Sequence, residues 1–72
     1  MLQSELKPGD NVHYQPEHFE ENEFENGIIK EIPEHTTEAV KVVYSCAGEW
    51  HRYEEFTSAL TNLRDLKKGW RS

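Results

Sequence analysis

The stretch "AVKVVYSCAGEWHRY", Ala39 to Tyr53, decides how this chain is read. Its first six residues are rich in β-branched side chains and predict a strand. In that strand Val40, Val42 and Tyr44 share one face, and Lys41 and Val43 share the other. "SCAG" follows as a turn in which Gly48 is placed to take a positive φ. "EWHRY" then predicts the returning strand of a β-hairpin, with Trp50 and Arg52 pointing one way and His51 and Tyr53 the other. The same residues include the only cysteine of the chain, so the stretch also poses the question of an active site.

A Cys–His nucleophilic site would need Cys46 as thiolate, His51 as base and a third group to orient the imidazole. Cys46 falls in the turn, with no helix N-terminus beside it to activate a nucleophile. A chain of 72 residues leaves little wall to exclude water. No phosphate-binding glycine loop or hydrolase elbow occurs either. The expectation is a protein that is not an enzyme. Nor is a metal or other cofactor expected: His13 and His18 are five apart across Pro16, Cys46 and His51 likewise, and structural zinc sites use shorter paired spacings.

Working outward, "LKPGDNVHY" has a turn at Pro8-Gly9-Asp10 and a strand over Asn11 to Tyr14 that Pro16 stops. Residues Glu17 to Asn26 read as a long polar loop pinned by Phe19 or Phe24. Asn26-Gly27 marks a turn into a second strand, "IIKEI", closed by Pro33. The last third has two readings. Tyr53, Phe56, Leu60 and Leu63 fit a helical stripe, whereas "FTSALT" alternates as a strand. The strand over Phe56 to Leu60 is preferred, with Thr61 capping one helical turn, "NLRDL".

Such a chain makes one domain, residues 1–72 with its core over about 6–70. A domain of this size buries only about 60% of its unfolded surface, so the core is thin. A lone cysteine allows no internal disulfide and fits a reducing cytoplasm. "MLQSELKPGD" has neither the basic start nor the apolar run of a signal peptide, and no apolar run approaches the ~20 residues that span a membrane.

The net charge of −6 is unevenly spread. Residues 1–38 hold ten acids against Lys7 and Lys30, and residues 39–72 hold six bases against four acids. The acidic extreme is "EHFEENEFE", with Glu17, Glu20, Glu21, Glu23 and Glu25. The basic extreme is "RDLKKGWR", with Arg64, Lys67, Lys68 and Arg71. A broad grip on a phosphate backbone needs clustered bases, which the first half lacks, so nucleic acid is not the expected partner. The aromatics Tyr14, Phe24, Tyr44, Trp50, Tyr53 and Phe56 are either the filling of a thin core or a pocket rimmed by acids such as Glu49 and Glu54, which would suit a cation.

The order "LKPGDNVHY", "ENGIIKEI", "VKVVY" and a helical turn bearing Leu63 and Leu66 resembles the small SH3-like barrels, which include Tudor and KOW-type modules. Together with "VVYSCAGEW" and "FTSALTNLRDLKKGW", it is also similar to small proteins encoded by bacteriophages and prophages, where Phe56 takes the place of a tyrosine. The resemblance spans most of residues 6–70. It implies an all-β, SH3-like barrel of about five antiparallel strands with a short helical turn near the C-terminus, and a place in the cytoplasm of a bacterial host.

Three functional expectations follow. The first is a non-enzymatic module that contacts a host or phage protein, steered by Glu17 to Glu25 and anchored by Trp50, Tyr53 or Trp70. In its sharper form the acidic run imitates a nucleic-acid backbone and inhibits a host nuclease or other defence enzyme. The second is a KOW- or Tudor-type nucleic-acid binder using Arg64, Lys67, Lys68 and Arg71. The third is a virion-assembly protein or a homo-oligomer joined through edge strands.

Overall fold

The turn at Lys7–Asp10 starts the sheet. Pro8 presets the second turn position and Gly9, at φ 96°, supplies the third, the pattern of a type II turn. The Asp10 N–H donates to the Lys7 carbonyl at 3.2 Å, and the Asp10 carboxylate accepts from the Lys7 N–H at 3.0 Å. From there a computed structural model, which describes residues 1–72, shows an all-β chain. Its strands are β1 (Asn11–Tyr14), β2 (Glu25–Glu31), β3 (Ala39–Val43), β4 (Ala59–Asn62) and β5 (Leu66–Lys68). They form one antiparallel sheet in the order β4-β3-β2-β1-β5. The last strand therefore returns to pair with the first. A 3-10 turn, Leu63–Asp65, carries the chain from one edge strand to the other. No helix is long and apolar enough to cross a membrane.

Cross-strand partners share a face, so the register sorts the side chains. One face carries Val12, Ile29, Val40, Val42 and Leu66, closed by Leu6 from the N-terminal segment and Leu63 from the 3-10 turn. Tyr14, Ile32 and Tyr44 border this core. The other face carries the Ile28↔Val43 pair, and both residues are buried. That second burial explains why β2 and β3 read as almost continuous apolar runs. A sheet wet on one side would have kept Val43 polar.

The covering for the second face is the segment expected to be a strand. "EWHRY" does not return beside β3. Ala47 at φ 52° and Gly48 at φ 79° take left-handed conformations in succession, and the Glu49 N–H bonds back to the Cys46 carbonyl. The chain then makes two short 3-10 turns, Trp50–Glu55, that meet at a kink at Arg52 and pack on β2. Arg52 lies between Glu49 and Glu55, with N···O distances of 3.4 and 2.7 Å. This Glu-x-x-Arg-x-x-Glu spacing suits a turn of three residues and not a strand, where charges three apart face opposite ways.

The strand paired with β3 is instead β4, two to three residues later than the expected Phe56 to Leu60. Thr61 belongs to that strand and caps nothing; the 3-10 turn begins after Asn62. The alternative long helix over Tyr53 to Leu63 does not form. Asn26 and Gly27 also differ from expectation. They lie inside β2, opposite His13 and Val12, and make no turn.

Cys46 lies in the expected turn, with its side chain only 2% exposed. Replacing it by serine puts a hydroxyl in a site that the thiol fills as a small hydrophobe, and should cost about 1–2 kcal/mol. Denaturant midpoints of the two proteins check this. The native thiol should also react with an aromatic disulfide reagent only as fast as the chain opens, and reaction at the rate of a free thiol would refute its burial.

A candidate anionic face and its aromatic cleft

The loop between β1 and β2 is ordered by its own short-range bonds. Phe19 N–H donates to the Pro16 carbonyl, and Glu23 N–H to the Glu20 carbonyl, closing two successive turns. The Glu23 carboxylate accepts from the Glu20 N–H at 2.7 Å. Longer contacts hold these turns to the body: Gln15 Nε2 donates to the Glu21 carbonyl, and so does Arg71 Nη1 from the other end of the chain. Both phenylalanines pin the loop. Phe19 meets the Tyr14 ring edge-on at 5.4 Å, and Phe24 lies under the Arg71 guanidinium at 4.8 Å. Glu17, Glu20, Glu21, Glu23 and Glu25 are all exposed on this anchored frame. A charged loop with so many fixed points has less conformational freedom to lose on binding than a free tail.

Where the loop enters β2 it reaches a shallow cleft of about 290 Å³. Tyr14, Glu25, Tyr44 and Asp65 line it together with the strand β4. The Tyr14 and Tyr44 rings are 6.0 Å apart at 68°, and the Tyr44 and Thr61 hydroxyls are hydrogen-bonded at 2.8 Å. Asp65 is held in place by the 3-10 turn, whose carbonyl at Asp65 accepts from the Gln15 N–H. Glu25 and Asp65 are the only charged residues lining the cleft.

Burial pushes the Tyr44 phenol up to about 12, and Glu25, Tyr14 and Asp65 add to the rise, while the Thr61 hydroxyl opposes it. In the unfolded chain a tyrosine ionises near pH 10. The protonated phenol is therefore bound more tightly by the folded state. Its stabilising contribution is complete below about pH 10 and is lost as pH climbs toward 12. An absorbance titration should show one of the tyrosines ionising late, and Tyr44→Phe should remove that late step; a late step that persists would contradict the assignment.

The expected aromatic anchors lie elsewhere. Trp50 and Trp70 pack at 4.9 Å with their rings tilted by 57°. Trp70 is 41% exposed and its indole N–H donates to the Gly27 carbonyl at 2.8 Å, so it docks over β2. Tyr53 is half-buried within the 3-10 turns. These three belong to the cover of the second face, whereas the cleft uses Tyr14 and Tyr44.

The basic residues are dispersed. Lys67 pairs across the sheet with His13 and Lys68 with Val12, so the two lysines point to opposite faces of β5. Lys68 lies near Glu5, whose carboxyl is held below its usual range first by the Leu2 N–H and then by that lysine. Arg71 is engaged with Phe24, and its backbone N–H and carbonyl are both bonded to the Asn26 side chain. Arg64, on the 3-10 turn, lines a neighbouring groove with Tyr14, Glu17, His18 and Asp65. His13 Nδ1 donates to the Gly69 carbonyl at 2.8 Å and helps fix this terminal segment. Cys46 is buried while His51 is exposed, and no three of the histidine, cysteine and carboxylate side chains converge as metal ligands.

Comparisons with models of protein families, with curated proteins and with solved structures give no match. The cleft residue that the sequence hid was Asp65. It reads there as one acid diluted among bases, and only the β5–β1 pairing brings it beside Tyr14. Glu25 was legible as part of the acidic run but not as its inner end.

Proposed function

We propose that this chain is an SH3-like barrel that works without catalysis, as a phage-encoded module binding a basic surface of another protein inside the bacterial cell. The barrel reading is supported by the return of β5 to β1 and by the 3-10 turn that joins the two edge strands. The binding reading rests on one observation. The anchored loop exposes five carboxylates, and the last of them, Glu25, lines an aromatic cleft whose only charges are Glu25 and Asp65. Ring faces and carboxylates both attract cations, so loop and cleft select the same partner chemistry.

The sharper form of the proposal makes the partner a host nuclease or other defence enzyme. The loop would then occupy the groove that receives a phosphate backbone. A nucleic-acid-binding role has less support, because Lys67 and Lys68 diverge and Arg71 is already engaged by the loop. The test is binding to a panel of folded nucleases with basic grooves, measured at low and high ionic strength with duplex DNA as competitor. Binding that weakens with salt and is displaced by DNA is expected. Failure to bind any of them at low ionic strength, or retardation of the DNA itself by this chain, would overturn the proposal.

A further inference from the structure

The strand β4 ends the sheet, and its hydrogen-bonding phase can be read from one bond. Leu63 N–H donates to the Glu38 carbonyl at 2.9 Å, which continues the β3–β4 register outward by one pair. Hydrogen-bonded and non-bonded pairs alternate in an antiparallel ladder. Thr61 and Ala59 therefore aim their backbone groups at β3, while Leu60 and Asn62 aim theirs away from the sheet.

The two edges differ in their protection. β5 carries Lys67 and Lys68, charges that discourage added strands. β4, with the sequence Ala-Leu-Thr-Asn, has no lysine, proline or bulge, and Leu60 is 57% exposed. All four residues of this unguarded strand, Ala59, Leu60, Thr61 and Asn62, line the cleft together with Tyr14, Tyr44, Glu25 and Asp65.

We propose that the free edge of β4 receives an extended segment of the partner protein as an added strand, with a lysine or arginine side chain of that segment entering the cleft between Tyr14 and Tyr44 beside Glu25 and Asp65. This rests on the reading above, that the partner presents a basic surface, and states how it is gripped. The backbone bonds of Leu60 and Asn62 supply affinity and the cleft supplies selectivity. Because side chains alternate along a strand, the residues flanking the cation fall on the opposite face, beside Leu60. An apolar residue on each side of the cation is the motif this geometry favours. A second copy of the chain fits poorly, because its own β4 carries no base to place in the cleft.

The probe is a blocked peptide, Thr-Thr-Val-Lys-Val-Thr-Thr, titrated into the isotope-labelled full chain. Amide exchange at Leu60 and Asn62 should slow, and a peptide with Glu in place of Lys should bind about tenfold more weakly. Methylating alternate backbone nitrogens of the peptide should abolish binding without altering the protein. Leu60→Pro removes an outward N–H and the exposed leucine side chain while leaving the bonds to β3 in place, and should weaken the peptide about tenfold. Equal binding of the Lys and Glu peptides, or unchanged exchange at Leu60 and Asn62, would overturn the proposal. So would protection of those amides in the peptide-free chain by self-association. If basic proteins still bind the chain while the lysine peptide does not, strand addition fails and the anionic-face reading stands; if neither binds, both fail.

Discussion

Gly27→Ala is expected to cost about 3 kcal/mol, a large part of the roughly 5 kcal/mol that holds a small domain folded. No left-handed backbone explains this glycine; room does. A methyl group on Gly27 would lie 2.6 Å from Val42 Cγ1, 2.9 Å from the Val43 carbonyl oxygen and 3.0 Å from Tyr44 Cδ1. Val42 is fully buried and has nowhere to turn, and the carbonyl belongs to the neighbouring strand. Relief would require β2 and β3 to separate along their shared ladder. Gly48 is the control, because nothing lies within 4 Å of a methyl there and only its φ of 79° resists alanine, a strain of about 1 kcal/mol. Denaturant midpoints for the two variants rank them directly. Equal costs would mean that the close approach at Gly27 is not there.

The second large effect is on association. Converting Glu17, Glu20, Glu21 and Glu23 to glutamine should slow association with a basic partner about a hundredfold at low ionic strength. Glutamine keeps an oxygen to accept the Glu20 N–H that Glu23 now holds, so the loop retains its turns. The difference between the variant and the parent should shrink at high salt, where charges beyond a Debye length of about 3 Å are screened. A stopped-flow series over ionic strength measures this. An on-rate that is equally slowed at every salt concentration would point to lost contacts and not to steering.

Much of the fold could be read from residues with one physical interpretation. Asn11 to Tyr14 alternates, Ala39 to Val43 is rich in β-branched residues, and Pro8-Gly9 allows few turns other than type II. The errors came where a local pattern had two meanings. Asn26-Gly27 is a common turn pair, and its use as a gap for Val42 depends on a neighbouring strand that no local pattern reveals. "EWHRY" alternates well enough for a strand, yet the three-residue spacing of Glu49, Arg52 and Glu55 was the better guide. Val43 carried a further hint, because an apolar residue on the face opposite Val40 and Val42 calls for a cover there too. The acidic loop of the site was plain from its charge. The cleft was not, since Tyr14, Tyr44 and Asp65 come from three distant segments and meet only through the pairing of β5 with β1.

The loop and the cleft are proposed to act as one cation-binding face. Titrating the isotope-labelled chain with a folded nuclease bearing a basic groove, and mapping the amide shifts residue by residue, shows whether they do. Shifts should concentrate at Tyr14, at residues 17–25, at Tyr44 and at Asp65, and fade as salt is raised. Shifts confined to Trp50, Tyr53 and Trp70, or to Lys67 and Lys68, would contradict it.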